Sequence, residues 1–370
     1  MAKGRWVCGL PMAVLVCGCV SGNPSIQVES TRELGPLQFL GAIRGRDGGY
    51  SAGFRGRSVW VFGDTVLEWE AQDGARWRSS TWCWTRDLNA ADSLADLSEP
   101  VDEKGAPGEF LPFTTDEAEF NRLHFRNDLP DDQFARWALW PGPVAVDPKS
   151  GEALVFYSKL LCRRGEWSFT PIGYSLALWT HPDRTPVRPV VRAGDAEPTL
   201  LFPKNDVVLG QAALVVEDRL YAYGVRSQGL SWPCILGRVR FSQALHRDAW
   251  EFYSGSSGWV KDWKRGQEIM QAAPMLSVHW NPYLRSYLAT YSDPLQNTIS
   301  MRTATEPEGP WSPAIRVFEG MAPPDKRRWN YCGMAHGELA REKGKIEYLH
   351  YHRETGFLMG EIRLVELRFK

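Results

Sequence analysis

The sequence has almost no excess charge of either sign: 43 Lys and Arg against 44 Asp and Glu leave a formal net charge of −1 over 370 residues. Acidic and basic residues are interspersed, so the chain carries no electrostatic footprint for nucleic acid or for an anionic membrane surface, and a neutral, mildly polar ligand suits it better. Cysteine is scarce. Beyond Cys19 the chain has Cys83, Cys162, Cys234 and Cys332, widely spaced and with no Cys-x-x-Cys pair, a pattern that excludes the usual zinc modules and indicates no metal site. These four read either as buried free thiols or, in an oxidising compartment, as bridge partners. No Gly-x-Ser-x-Gly elbow, His-Glu-x-x-His helix, P-loop or dinucleotide fingerprint occurs, so the chemistries those motifs support have no footing, and no cofactor is indicated.

Long hydrophobic runs are missing as well. The one apolar stretch, Trp6 to Val16 behind Lys3 and Arg5, is too short for a stop-transfer helix and right for the centre of a signal peptide. It ends in Val16-Cys17-Gly18-Cys19, which resembles the bacterial lipobox, whose last cysteine bears the lipid after cleavage; ordinary secretory cleavage nearby is the alternative. The expected layout is therefore a signal peptide at 1–19 with Cys19 as lipidation site, a small, polar tether at 20–36, and one domain at 37–370. A lipid anchor would hold that domain, a monomer, at the cell envelope.

What the chain does have is a repeat. Five segments share an apolar strand, a polar or Gly/Pro turn, and an alternating strand ending in an aromatic: they start at Gly48, Gly142, Gln211, Pro274 and Gly337. Their turns, such as Arg55-Gly56-Arg57 and Asp147-Pro148-Lys149-Ser150-Gly151, suit hairpins. The marker aromatics Phe62, Phe156, Tyr223, Tyr291 and Tyr351 recur about every 60 to 70 residues, apart from a first gap about 30 longer. A third strand follows each hairpin, and the chain ends on Glu361-Ile362-Arg363-Leu364-Val365 with no later partner, so an N-terminal strand is expected to complete the last sheet. The fold predicted is all-β: a five-bladed β-propeller of four-stranded antiparallel blades, with a long insertion at about 86–135. The 17 tryptophans belong mainly to packing between blades, with Trp137, Trp140 and Trp329 as candidates for stacking on a sugar.

At Phe62-Gly63-Asp64-Thr65 and Asn281-Pro282-Tyr283-Leu284 the sequence resembles an uncharacterised family of bacterial exported five-bladed propellers. That family is similar to the arabinanase, β-xylosidase and levansucrase type of glycosidase, which holds three carboxylates at the inner ends of its first three blades. The resemblance implies a carbohydrate ligand in the central funnel, with glycoside hydrolysis in view and a non-catalytic scaffold for a glycan or protein as the alternative. It singles out Asp47, before the innermost strand of the first repeat, as the first carboxylate, with Arg46 beside it. Gly48-Gly49 follow where those glycosidases commonly have proline. The second and third repeats begin Trp140-Pro141-Gly142-Pro143 and Leu209-Gly210-Gln211, without a carboxylate, so Glu268 and Glu338 stand as candidates for the missing acid. Gln211, Gln271 and His336 occupy equivalent positions in later repeats, where amides and an imidazole suit hydroxyl recognition, and Trp140 offers an aromatic face. Asp64, at the strand end, reads as a cap of the following turn.

Overall fold

The computed structural model describes residues 25–94, 96–165, 168–229, 231–356 and 359–370. The expected signal peptide, Cys19 and the first part of the tether lie outside the described residues. Among the described residues no helix is long and apolar enough to cross a membrane.

The chain is a five-bladed propeller. The inner strands are Ile43–Phe54, Arg136–Val146, Ala212–Val216, Leu276–Asn281 and Tyr331–Ala335, and each packs against the next until the fifth meets the first. Antiparallel neighbours extend every inner strand outward into a sheet. All inner strands run in the same direction along the axis; their starting end is here called upper. The last blade is completed from the other end of the chain, because Val28–Pro36 pairs with Met359–Phe369 in a register running from Val28 opposite Phe369 to Pro36 opposite Arg363. The sequence predicts an N-terminal strand closing this sheet, and the propeller thus takes in Val28–Pro36, residues otherwise assigned to the tether.

Alternation explains why the second strands read as unbroken apolar runs. In Arg57–Leu67, Val59 and Val61 point to a core shared with Val144, Tyr157 and Trp179 of blade 2. Trp60 and Phe62 point the other way, to a core with Tyr348 and Leu364 of blade 5. A strand between two blades is buried on both faces and has no polar side to show. The hairpin turn before it carries Arg55 and Gly56 with φ of 49° and 73°, the twist that suits a two-residue connection. All five marker aromatics are buried, and the four later cysteines are buried free thiols.

The insertion is pinned rather than loose. It contains the helix Thr115–His124, which opens on a capping box between Thr114 and Glu117. Asn121 bonds both the N–H and the C=O of Trp137 at 2.7 and 3.1 Å. Three of its acids are held inside the protein. Glu99 takes a two-pronged bond from Arg46 at 2.7 and 3.3 Å, with 0% and 1% of the two side chains exposed. Glu109 accepts from the backbone and hydroxyls of Ser79 and Ser80. Glu117 accepts from Arg188 at 2.6 and 3.0 Å and pairs with Lys159 at 2.8 Å.

Arg46 lies between the rings of Phe39 and Phe62, 4.5 and 4.2 Å from their centroids. Replacing it by Met should strand the buried Glu99 charge and destabilise the fold by about 3–5 kcal/mol, while Arg46→Met with Glu99→Leu should recover most of the loss. Urea unfolding of the two variants checks this; equal losses would show that the ion pair is not what pins the insertion.

Candidate active site

The upper mouth of the ring holds the first expected residue in an arrangement built by one hairpin. Arg46 pairs with Thr65 and Gly48 with Phe62, so the ladder slips at Asp47 and sets it opposite Gly63-Asp64. Such bulges re-aim side chains beside active sites. Cross-strand neighbours of this kind have Cβ atoms about 5–8 Å apart. The two glycines after Asp47 are required here: Gly48 and Gly49 have φ of 89° and 132°, and a Cβ on Gly49 would lie 2.9 Å from His350 Nε2. The strand passes so close to blade 5 that no larger residue fits.

Asp47, Asp64, Trp140, Gln211 and Tyr331 are all half-buried, on blades 1, 2, 3 and 5 at the upper mouth of the ring. Burial raises the Asp47 carboxyl above its ordinary value, opposed by hydrogen bonds from Tyr331 and from the Gly48 N–H, the latter 2.7 Å from Oδ1. Asp64 is also raised, by burial and by the charge of Asp47, against the pull of Arg136. Asp64 Oδ1 accepts from the Trp77 indole at 2.9 Å, and Oδ2 lies 3.5 Å from Arg136, whose guanidinium lies over the Trp77 ring at 3.4 Å from its centroid. Sequence reading gave Asp64 a turn-capping role; it lies inside the strand Arg57–Leu67 and caps nothing. The Trp140 indole N–H is buried and faces the same carboxylate.

The other expected residues are dispersed. Arg46 is committed to Glu99 and offers no face to a ligand, which corrects its expected binding role. Gln211 lies at the upper mouth, but its side-chain oxygen accepts from the Val225 N–H at 3.1 Å and its main-chain oxygen from the Tyr50 hydroxyl at 3.0 Å. Gln271 and Glu268 are exposed and bond one another; Gln271 also ties Ser231 and Trp232 into that connection. Neither meets Asp47. His336 and Glu338 follow the end of the fifth inner strand, so they occupy the lower end of the axis. Between them and Asp47 the axis is closed by Tyr50, reaching across to the Gln211 carbonyl, and by the contact of Cys332 with Met275. The cavity on the axis lies below Tyr50, and neither Asp47 nor Asp64 lines it.

The entrances to blades 2 and 3 have a steric reason to lack carboxylates. A Cβ on Gly142 would lie 2.7 Å from the Gly210 carbonyl oxygen, so the two inner strands touch at the level where an acid would project. Among the described residues no group of three or more His, Cys, Asp or Glu side chains could hold a metal ion.

Residues 179–348 match the family described as "Domain of unknown function (DUF4185)", a span that runs from the third strand of blade 2 to the second strand of blade 5 and leaves Asp47 and Asp64 outside. No curated protein matches the chain. A solved structure from Bacteroides ovatus ATCC 8483, described as a candidate hydrolase, is 14% identical with a TM-score of 0.56, covering 89% of this chain and 86% of that one. Its likeness agrees with the five-bladed ring. A GH43 β-xylosidase/α-arabinofuranosidase from a compost microbial metagenome, solved with xylotriose, is 13% identical with a TM-score of 0.46 and coverage of 93% and 95%. The catalytic domain of a GH62 α-L-arabinofuranosidase from Coprinopsis cinerea is 11% identical with a TM-score of 0.46 and coverage of 94% and 98%.

If Asp47 ionises first and its charge holds the proton on Asp64, then Asp47→Asn should lower the Asp64 titration. Carboxyl carbon-13 NMR of the variant against the parent reads this directly. An unmoved Asp64 midpoint would show the two groups to be uncoupled.

Proposed function

We propose that the upper mouth of the ring hydrolyses a glycosidic bond, with Asp47 ionised as base or nucleophile and Asp64 as the proton donor to the leaving oxygen. The observation that carries this reading is the Asp47–Asp64 pair itself: two carboxyl groups on adjacent strands, both raised by burial, Asp47 supported in its charged form by Tyr331 and Gly48, and Asp64 raised further by that charge against the opposing pull of Arg136 and two indoles. Environments that separate two carboxyls in this way divide acid from base at a single pH. The chemistry needs that division because the glycosidic bond breaks through an oxocarbenium-like state, assisted by one ionised and one protonated carboxyl. Trp140, whose buried N–H faces Asp64, would supply a ring face for the sugar. The motif resemblance to arabinanase-type propellers points to arabinan, xylan or fructan as the substrate class.

The absence of carboxylates at the entrances to blades 2 and 3 favours the rival reading, a scaffold that binds a glycan without cleaving it. Incubation with arabinan, xylan and fructan oligosaccharides separates the two. Asp47→Asn and Asp64→Asn should each lower kcat by about 10²- to 10⁴-fold with little change in KM. Turnover unaffected by both substitutions would remove the pair from the mechanism, and binding without turnover in the parent protein would favour the scaffold.

The lipobox-like Val16-Cys17-Gly18-Cys19 supports a further part of this reading, that the propeller works at the cell envelope on a lipid anchor. Cys19→Ser should shift the protein from the membrane to the soluble fraction; unchanged fractionation would count against anchoring through that residue.

A further inference from the structure

The lower chamber has no part in the chemistry above, yet it is built as a site. It is a cavity of about 240 Å³ bounded by the inner strands of all five blades and roofed by Tyr50. Its wall is two-sided. Blades 2 and 3 contribute Pro143, Val144, Ala212 and Leu214, while blades 1, 4 and 5 contribute Ser51, Ser277, His279, His336 and Glu338. At its open end Trp280 is 46% exposed and held edge-on by Tyr287, with ring centroids 5.1 Å apart. An apolar wall facing a few convergent polar groups is the usual anatomy of a small-ligand pocket.

The polar wall is set in place from behind. The Trp60 indole donates to Ser58 at 3.0 Å, and Ser58 donates to Glu338 at 2.7 Å. Ser51 lies 2.6 Å from His336 Nδ1, whose Nε2 lies 2.8 Å from His350 Nδ1, and both rings are buried and stacked. His279 Nε2 meets Glu347 at 3.2 Å, and Asn281 holds the same carboxylate oxygen at 2.6 Å. His279 Nδ1 is left buried without a partner.

These features also limit what can bind. An anion would meet Glu338 with Glu347 close behind. A cation would find carboxylates already engaged, Glu338 by serine hydroxyls and Glu347 by His279 and Asn281. A neutral ligand with hydroxyl groups meets neither objection, because it can both donate to Glu338 and accept from its neighbours. The volume equals about eight waters at roughly 30 Å³ each, room for a single sugar ring and too little for a chain.

We propose that the lower chamber is a second ligand site, separate from Asp47 and Asp64, that takes one neutral sugar ring stacked on Trp280 and hydrogen-bonded by Glu338 and Ser51. The proposal does not depend on hydrolysis at the upper mouth. Calorimetric titration of the full chain with L-arabinose, D-xylose and D-fructose tests it, using the parent protein, Trp280→Ala, Glu338→Gln, and Asp47→Asn with Asp64→Asn. At least one of the three sugars should bind the parent and the upper-site double variant equally, and Trp280→Ala and Glu338→Gln should each weaken it about tenfold or more. Thermal melting confirms that the variants are folded; should Glu338→Gln fail to fold, the exposed Trp280→Ala carries the test. Binding lost with the Asp47 and Asp64 substitutions but kept in Trp280→Ala would place the sugar at the upper mouth and overturn the proposal, as would no binding of any of the three.

Discussion

The rest of the molecule depends on one pairing, that of Val28–Pro36 with Met359–Phe369. Without it the last blade would be one strand short, and the two ends of the chain would not be joined in one sheet. The pairing also places the active strand. Directly after Pro36, the Leu37 N–H donates to the Ile362 carbonyl at 2.8 Å, and the Leu37 side chain enters the core that holds Trp60, Phe62, Tyr348 and Leu364. Six residues later the inner strand of blade 1 begins, so the position of Asp47 is fixed from one side by ring closure and from the other by its own hairpin.

Charge is handled with the same economy. A chain with nearly balanced charge could leave its ions in water, yet the insertion places Glu99, Glu109 and Glu117 inside. Each acid is met by partners well outside its own segment or by a cluster of donors: Arg46 for Glu99, the Ser79 and Ser80 backbone and hydroxyls for Glu109, Arg188 and Lys159 for Glu117. Buried charges of this kind add little net stability but penalise any arrangement that separates them. Their effect is to hold the insertion in one place against blades 1 and 2. The physical cost appears in Glu109, where burial pushes the carboxyl up to about 7 despite four donors.

Much of the fold was legible in the sequence, because a hairpin declares itself locally: an apolar alternation, a turn with its glycine, and a second alternation. The recurrence of Phe62, Phe156, Tyr223, Tyr291 and Tyr351 then counted the blades. The capping box of Thr114 and Glu117 was equally local, and would have revealed the helix inside the insertion. The site was legible only in part. Asp47 could be found from its place at the head of the first repeat, although the strand there already begins at Ile43, but Asp64 needed the register, and the register contains a slip that no spacing shows. His336 was matched to Asp47 as a strand-entrance residue, whereas the fifth inner strand has already ended at Ala335, and the candidate acid Glu338 follows it. Position along a repeat is a poor guide to depth along the axis when inner strands differ in length, from Ile43–Phe54 down to Tyr331–Ala335.

The relation to glycosidase propellers changes in the same light. A triad spread over three blades needs three inner strands that stand apart enough for side chains to project. Here Gly142 and Gly210 bring two of those strands into backbone contact, and the space is gone. The carboxyl nearest to Asp47 in the ladder comes instead from the neighbouring strand of the same blade, and the proposed mechanism uses it. A pair fixed within one hairpin depends on a single bulge and its ladder, not on how blades pack, so its spacing is protected from shifts elsewhere in the ring. That rigidity suits acid–base work, where the environment of each carboxyl must stay constant for their proton affinities to remain apart. The proposed chemistry would then be confined to blade 1 and its rim, which leaves the cavity behind the Tyr50 brace available for the separate task proposed for it.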